Sequence, residues 1–396
     1  MPTRRHILGA MAALPLAGLS FPTLSWSAPA GDARFMVLIL RGAMDGLAAV
    51  PPLADPGLAR LRAPLVPGRP GSEGGALDLD GSFALHPALG SLHALYRQGD
   101  LAVIHACASP YRERSHFSGQ DALENGTATE AGAHDGWLGR ALGPGRPVDG
   151  DRAVALGETV PLILQGGSGV TSWSPSILPQ ADTDTLQRIA RLYERDPQLS
   201  AALSAALEAN QVASADGDGK ARPGAGPAAR FISLMQAAGR FMATPGGPRV
   251  AVADLGGWDT HAGQNGKLGR QFDMLGAGID ALRKSLGEAW RSTAVLVVTE
   301  FGRTAAVNGT AGTDHGTAGV AFLLGGAVAG GRVIADWPGL AAGQLHEGRD
   351  LRPTIDLRAV AKGVLSHHMK ITRATLDEVV FPGSGSVSPL PDLVRT

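Results

Sequence analysis

Short unbroken apolar runs alternate along this chain with longer stretches in which apolar residues recur at helical spacing. The runs Phe35–Leu40, Leu101–His105, Arg249–Leu255, 294–298 and Val320–Leu324 have the composition of strands buried on both faces. Ala153–Leu156 and Pro161–Leu164 are shorter strand candidates. A helix over Ala88–Gln98 places Leu89, Leu92, Leu95 and Tyr96 on one face, and 183–209 reads as helical with a break at Pro197. Arg230–Met242 buries Phe231, Leu234, Ala238 and Phe241, and a helix from about Leu268 to Trp290 aligns Phe272, Leu275, Ile279, Leu282 and Leu286. Strands alternating with helices of this length predict an α/β fold with a mostly parallel central sheet between helices. Residues 51–82 are loop-rich, 136–176 are turn-rich, and Ala213–Ala229 reads as a mobile surface loop.

The polar residues that follow these strands carry the candidate chemistry. In open α/β sheets, ligands bind at the carboxyl ends of the strands. The first strand ends in Arg41-Gly42-Ala43-Met44-Asp45, and the strand at 249–255 leads into Gly257-Trp258-Asp259-Thr260-His261. The strand at 294–298 stops at Thr299-Glu300-Phe301-Gly302-Arg303, and a Gly/Thr/Asn-rich loop follows, ending in Asp314-His315. The strand, helix, strand succession from 249 to 298 predicts a parallel crossover, which sets the ends of those two strands, with the Asp314-His315 loop, on one edge of the sheet. After Leu101–His105 come Ser109-Pro110 and Arg114-Ser115-His116-Phe117, a strand–turn–helix passage that presents Ser115 at a helix N-terminus. Asp45 suits a surface turn as well as a site, and Ser115 suits an ordinary N-cap as well as a nucleophile.

Together Asp45, Asp259, His261, Glu300, Asp314 and His315 form a ligand set for Zn, Mn, Mg or Ca, one or two ions. Such an ion activates a hydroxyl or water and neutralises charge on phosphate or sulfate oxygens. Arg41, Arg114 and Arg303 offer planar donors to an oxyanion. The rival readings are a purely structural metal and a protein without catalysis.

Composition narrows the partners. The formal net charge of -1 over 396 residues gives no electrostatic case for nucleic acid or an anionic membrane. The single cysteine, Cys107, forbids an internal disulfide. Arg4-Arg5 precede the apolar segment Ile7–Leu19, and Ala28-Pro29-Ala30 offers a cleavage site, which reads as a twin-arginine export signal over 1–30. The expected location is therefore periplasmic or secreted, with the twin-arginine translocase as a partner during export. Cleavage shifts the formal charge from -1 to about -3, and no later segment reads as membrane-spanning.

The motifs RGAMDGL, LHPAL, RSHF, GWLGR, GWDTH, EFGRT, TDHG and GRVIADWPGL resemble, in order and across nearly the whole of 31–396, the exported bacterial family grouped as domain of unknown function 1501. That family is in turn similar to the alkaline phosphatase and sulfatase superfamily. The resemblance implies an alkaline-phosphatase-like domain and a metal-dependent hydrolase of phosphate or sulfate esters, small or polymer-borne. Asp259, His261 and His315 resemble the ligands of the superfamily's first metal. Asp45 resembles the aspartate of the second metal, and Glu300 occupies the place of the acidic residue at a strand end. Ser115 matches the nucleophile loosely, with Ser109 as its rival. His116, Arg41 and Arg303 are assigned with Ser115 to catalysis. Phe301 stands where a second-site His or Asn is expected, and the Cys-x-Pro-x-Arg sulfatase signature is absent. The alternative is a non-catalytic periplasmic binding or structural protein on a degenerate hydrolase fold.

Overall fold

The computed structural model describes residues 32–143, 152–175, 182–214 and 226–395. Residues 1–30, read from the sequence as an export signal, and most of the 213–229 stretch lie outside them.

Among the described residues nine strands form the central sheet: β1 (Arg34–Leu40), β2 (Leu101–Ala108), β3 (Ala153–Leu156), β4 (Val170–Trp173), β5 (Val250–Leu255), β6 (Thr293–Val298), β7 (Gly319–Leu324), β8 (Arg332–Ile334) and β9 (Ile355–Asp356). Their order is β8-β2-β7-β6-β1-β5-β3-β4, with β9 pairing beside β8 on β2. All pairings are parallel except those of β7, which runs antiparallel to both β2 and β6. The reversal has a simple cause: 299–318 doubles back without a helix, and a return without a crossover is antiparallel.

The principal helices are α1 (Gly90–Gln98), α2 (His116–Asn125), α3 (Trp137–Leu142), α4 (Thr183–Tyr193), α5 (Pro197–Ala213), α6 (Pro227–Ala243), α7 (Gln264–Leu286) and α8 (Leu357–His367). Strand alternation divides them into two layers. On β1, Met36, Leu38 and Leu40 join one core with Met235 and Phe241 of α6 and Phe272 and Ile279 of α7. Phe35, Val37 and Ile39 join the other, with Trp137 of α3 and Val360 and Val364 of α8. Buried on both faces, β1 has no room for polar alternation, which is why its sequence reads as a continuous apolar run.

Two expected elements change. Pro161–Leu164 is not a strand. Leu162–Leu164 is a single 3-10 turn closed by Leu164 N–H to the Pro161 carbonyl, and Pro161 has no N–H to give a ladder. The helix expected to reach Trp290 ends at Leu286, because Gly287 adopts φ 53°, and 287–292 continues as 3-10. No helix among the described residues is long and apolar enough to cross a membrane.

Candidate metal centre

Because β2, β6, β1 and β5 run in the same direction, their carboxyl ends open on one edge. There β1 delivers Gly42, β5 delivers Asp259 and His261, and β6 delivers Glu300. The turn after β2 starts α2 with His116 as its first residue. The loop from β6 zips onto itself through Gly302 N–H to Thr317 O (2.8 Å), Gly316 N–H to Gly302 O (2.8 Å) and Thr304 N–H to Asp314 O (2.9 Å), which brings His315 back to the edge. Gly42 makes the close approach possible. Its φ is 114°, and a β-carbon there would lie 2.7 Å from the Asp259 nitrogen.

Three imidazoles and one carboxylate converge at this edge. Ligand atoms of His116, Asp259 and His315 all lie within 4.8 Å of one another. His261 Nε2 joins them at 3.1 Å from His315 Nε2 and 2.9 Å from Asp259 Oδ1. His315 Nε2 lies 3.4 Å from Asp259 Oδ1, and His116 Nε2 lies 3.5 Å from Asp259 Oδ2. Two ligands on one ion at arms of about 2.1 Å sit about 3.0–3.4 Å apart in octahedral or tetrahedral arrangement. The observed spacings match.

Each of the three rings is held from behind. His116 Nδ1–H donates to Glu300 Oε1 (2.8 Å), His261 Nδ1–H to Asp314 Oδ1 (2.9 Å), and His315 Nδ1–H to the Arg114 carbonyl (2.8 Å). These acceptors fix the proton on Nδ1, so each neutral ring turns an Nε2 lone pair toward the shared point. His116 Nε2 is buried and has no hydrogen-bond partner. Two Nε2 atoms facing at 3.1 Å, beside a third without a hydrogen-bond partner, call for a cation or a shared proton between them. The residues therefore fit a divalent metal, and three imidazoles favour a transition ion over Mg or Ca. The open side is formed by Asp259 and His261, whose side chains are 42% and 46% exposed.

The electrostatics agree with the geometry. Burial pushes Glu300 up, but hydrogen bonds from His116, Gly42 N–H and Gln120 outweigh it and hold the carboxyl below the usual range. Burial likewise opposes ionisation of Asp259, and Arg303 Nη1–H at 2.6 Å reverses the outcome. The hydrogen bond to Glu300 raises His116, whereas burial lowers His315.

The structure redistributes the roles expected from sequence. Glu300 is not placed as a ligand. It is fully buried, its Oε1 accepts from Gly42, His116 and Gln120, and its Oε2 accepts from Thr299. Asp314 likewise orients His261 and accepts from Asn308 at 3.1 Å. Asp45 is not part of the group that meets at the shared point. It caps the one-turn helix Gly46–Ala49, takes two hydrogen bonds from buried Arg62 (2.9 and 2.8 Å), and accepts from Gln264 at 2.6 Å. His116, expected in catalysis, stands in the cluster that could hold a metal instead.

The arginines are engaged as well. Arg303 is 2% exposed and grips Asp259 and the Thr313 carbonyl, so it braces a ligand instead of facing an oxyanion. Arg41 pairs with Glu124 at 2.8 Å and donates to Gln120 at 3.0 Å; Arg114 pairs with Asp350 at 2.8 Å and with Glu347. Ser109 is buried and lines a cavity of about 30 Å³ with Leu123, Trp137, Leu296 and Phe381, in which no histidine or carboxylate appears. Ser115 precedes His116, is half-buried, and leaves its Oγ free of any capping bond. Phe301 stacks on His116 with ring centres 5.0 Å apart and lies 5.2 Å from His315, forming a hydrocarbon wall where a second set of ligands was considered. Sequence reasoning missed Gln120, Glu124 and the Arg114 carbonyl. Only the i, i+4, i+8 spacing of His116, Gln120 and Glu124 on one helix signals two of them.

Fold and site together define a mixed α/β protein whose sheet edge gathers a histidine-rich cluster of metal-ligand character. The chain belongs to the family described as "Protein of unknown function (DUF1501)", which matches residues 81–380. No curated protein matches it. Among solved structures, a 2-O GAG sulfatase is similar at 12% identity and a TM-score of 0.33, over 74% of this chain and 64% of that one. A protein provisionally assigned as a sulfatase, from Bacteroides thetaiotaomicron, is similar at 10% identity and a TM-score of 0.28, over 75% and 65%. The chain thus spans just under two thirds of the length of either.

Proposed function

We propose that this protein is an exported, metal-dependent hydrolase of phosphate or sulfate esters. The observation that carries the metal is the set of three Nδ1-anchored imidazoles whose Nε2 atoms meet Asp259. His116, His261, His315 and Asp259 would hold one divalent ion, which supplies Lewis-acid polarisation of an ester oxygen. Glu300, Asp314 and the Arg114 carbonyl keep the imidazoles in the binding tautomer, and Arg303 keeps Asp259 ionised. Ser115, next in sequence to His116 and with an Oγ free of any capping bond, would be the attacking nucleophile.

The test is to purify the exported protein, measure retained metal, and assay aryl phosphate and aryl sulfate esters with added Zn, Mn, Mg and Ca. A single bound ion and turnover lost in H315A and S115A support the reading. Absence of turnover with every pairing overturns hydrolysis. The capture of Arg41, Arg114 and Arg303 by carboxylates favours one alternative, a non-catalytic protein using the metal structurally. That alternative expects metal retention and chelator-sensitive melting with no turnover.

A further inference from the structure

We propose that Phe117 is an aromatic platform at the rim of the metal centre, gripping the ring of a ring-bearing ester. The inference rests on the hydrolase reading for the identity of the ester, but not for the contact itself. Phe117 is 87% exposed, although it belongs to the first turn of α2 and directly follows His116. Single exposed apolar side chains are ordinary on protein surfaces. The position of this one is what matters.

At 100° per residue, His116, Gln120 and Glu124 share one face of α2, and each touches the site or its supports: Glu300, or Arg41. Gly119, Ala122 and Leu123 are buried on the opposite flank, where Gly119 abuts Phe301. Phe117 falls on the Gln120–Glu124 side of His116, turned away from that core. A flat, solvent-facing ring thus directly follows one member of the cluster, whose other exposed members, Asp259 and His261, are polar. With the arginines occupied, the metal centre alone offers little to grip beyond the charged group. A stacking surface one residue from a ligand supplies recognition of the remainder, and it selects planar or apolar-faced rings over short alkyl groups.

The test uses zinc-loaded exported protein and two ligand pairs that cannot be hydrolysed: phenylphosphonate against methylphosphonate, and benzenesulfonate against methanesulfonate, each measured by calorimetry. The parent should prefer the phenyl member. In F117A the phenyl member should weaken by about threefold to tenfold, the methyl member by less than twofold, and F117W should restore the preference. Equal loss on both members, no loss, or no phenyl preference in the parent overturns the platform. A change of oligomeric state in F117A with ligand binding intact makes Phe117 a protein-contact residue and overturns it too. Phe117-dependent binding by a protein that turns over no ester leaves the platform standing and removes only the hydrolase reading.

Discussion

Replacing Glu300 by Gln probes the centre without touching a ligand. The carboxylate is fully buried, and its Oε1 receives hydrogen bonds from His116 Nδ1 (2.8 Å), Gly42 N (2.8 Å) and Gln120 Nε2 (3.2 Å), while Oε2 receives one from Thr299. An amide offers one oxygen and one NH2 to this set of donors. If its oxygen keeps His116 and Gly42, the NH2 confronts the Thr299 hydroxyl, which can rotate to accept. The ring keeps its tautomer but loses the negative charge that makes Nε2 a stronger ligand. Loss of such a supporting partner lowers metal affinity by about tenfold to hundredfold, or about 1.4–2.8 kcal/mol. E300A is harsher: it leaves the Gly42 N–H and His116 Nδ1–H unpaired in a buried place, at about 1–3 kcal/mol of stability for each. Zinc titration against a competing chelator, together with urea unfolding of the apo-proteins, separates the two effects. E300Q should lose affinity with little change in apo-stability, and E300A should lose both. Zinc affinity within twofold of the parent in E300Q would show that Glu300 does not work through His116, and the proposed coordination would fail with it.

Three further outcomes follow from the same geometry. His105 is buried with Nε2–H on the Val50 carbonyl and Nδ1 accepting from Ala106 N–H, so there is no place for a second proton, and burial depresses it to about 4. Because the unfolded chain binds that proton from pH 6.5 downward and the folded chain does not, stability should fall by roughly 3 kcal/mol between pH 6.5 and 4 and be unaffected above. Urea midpoints across that range should be flatter in H105Q than in the parent. G42A forces a β-carbon to within 2.7 Å of the Asp259 nitrogen at a φ of 114°. It should cost about 1–3 kcal/mol, read by thermal melting, and zinc affinity should fall as Asp259 is displaced. Finally, zinc at a hundredfold excess over its dissociation constant should stabilise the fold by about 2.7 kcal/mol. Scanning calorimetry with and without chelator checks this, and H315A should abolish the difference.

Much of the fold was legible because a strand buried on both faces must be apolar throughout. β1, β5 and β6 could therefore be placed within a residue of their observed ends. The convergence of the β5 and β6 ends on one edge was legible too, since a right-handed crossover between them makes them parallel. What failed locally has local causes: Pro161 cannot feed a ladder, and Gly287 ends the helix expected to reach Trp290.

The chain by itself determined which residue types reach the sheet's carboxyl edge: an Asp and a His after one strand, a Glu after the next, an Asp-His pair on the way back, and a His opening α2. Only the tertiary structure decided which of them face a common point and which stand behind. Glu300 and His116 are 184 positions apart and His261 and Asp314 are 53 apart, so their pairing is invisible in any local pattern. A carboxylate can bind a cation or hold an imidazole with the same two oxygens. The choice is made by which donors folding presses against it: for Asp45 the Arg62 guanidinium, for Glu300 the His116 ring, and for Asp259 an open side that leaves it facing the three Nε2 atoms.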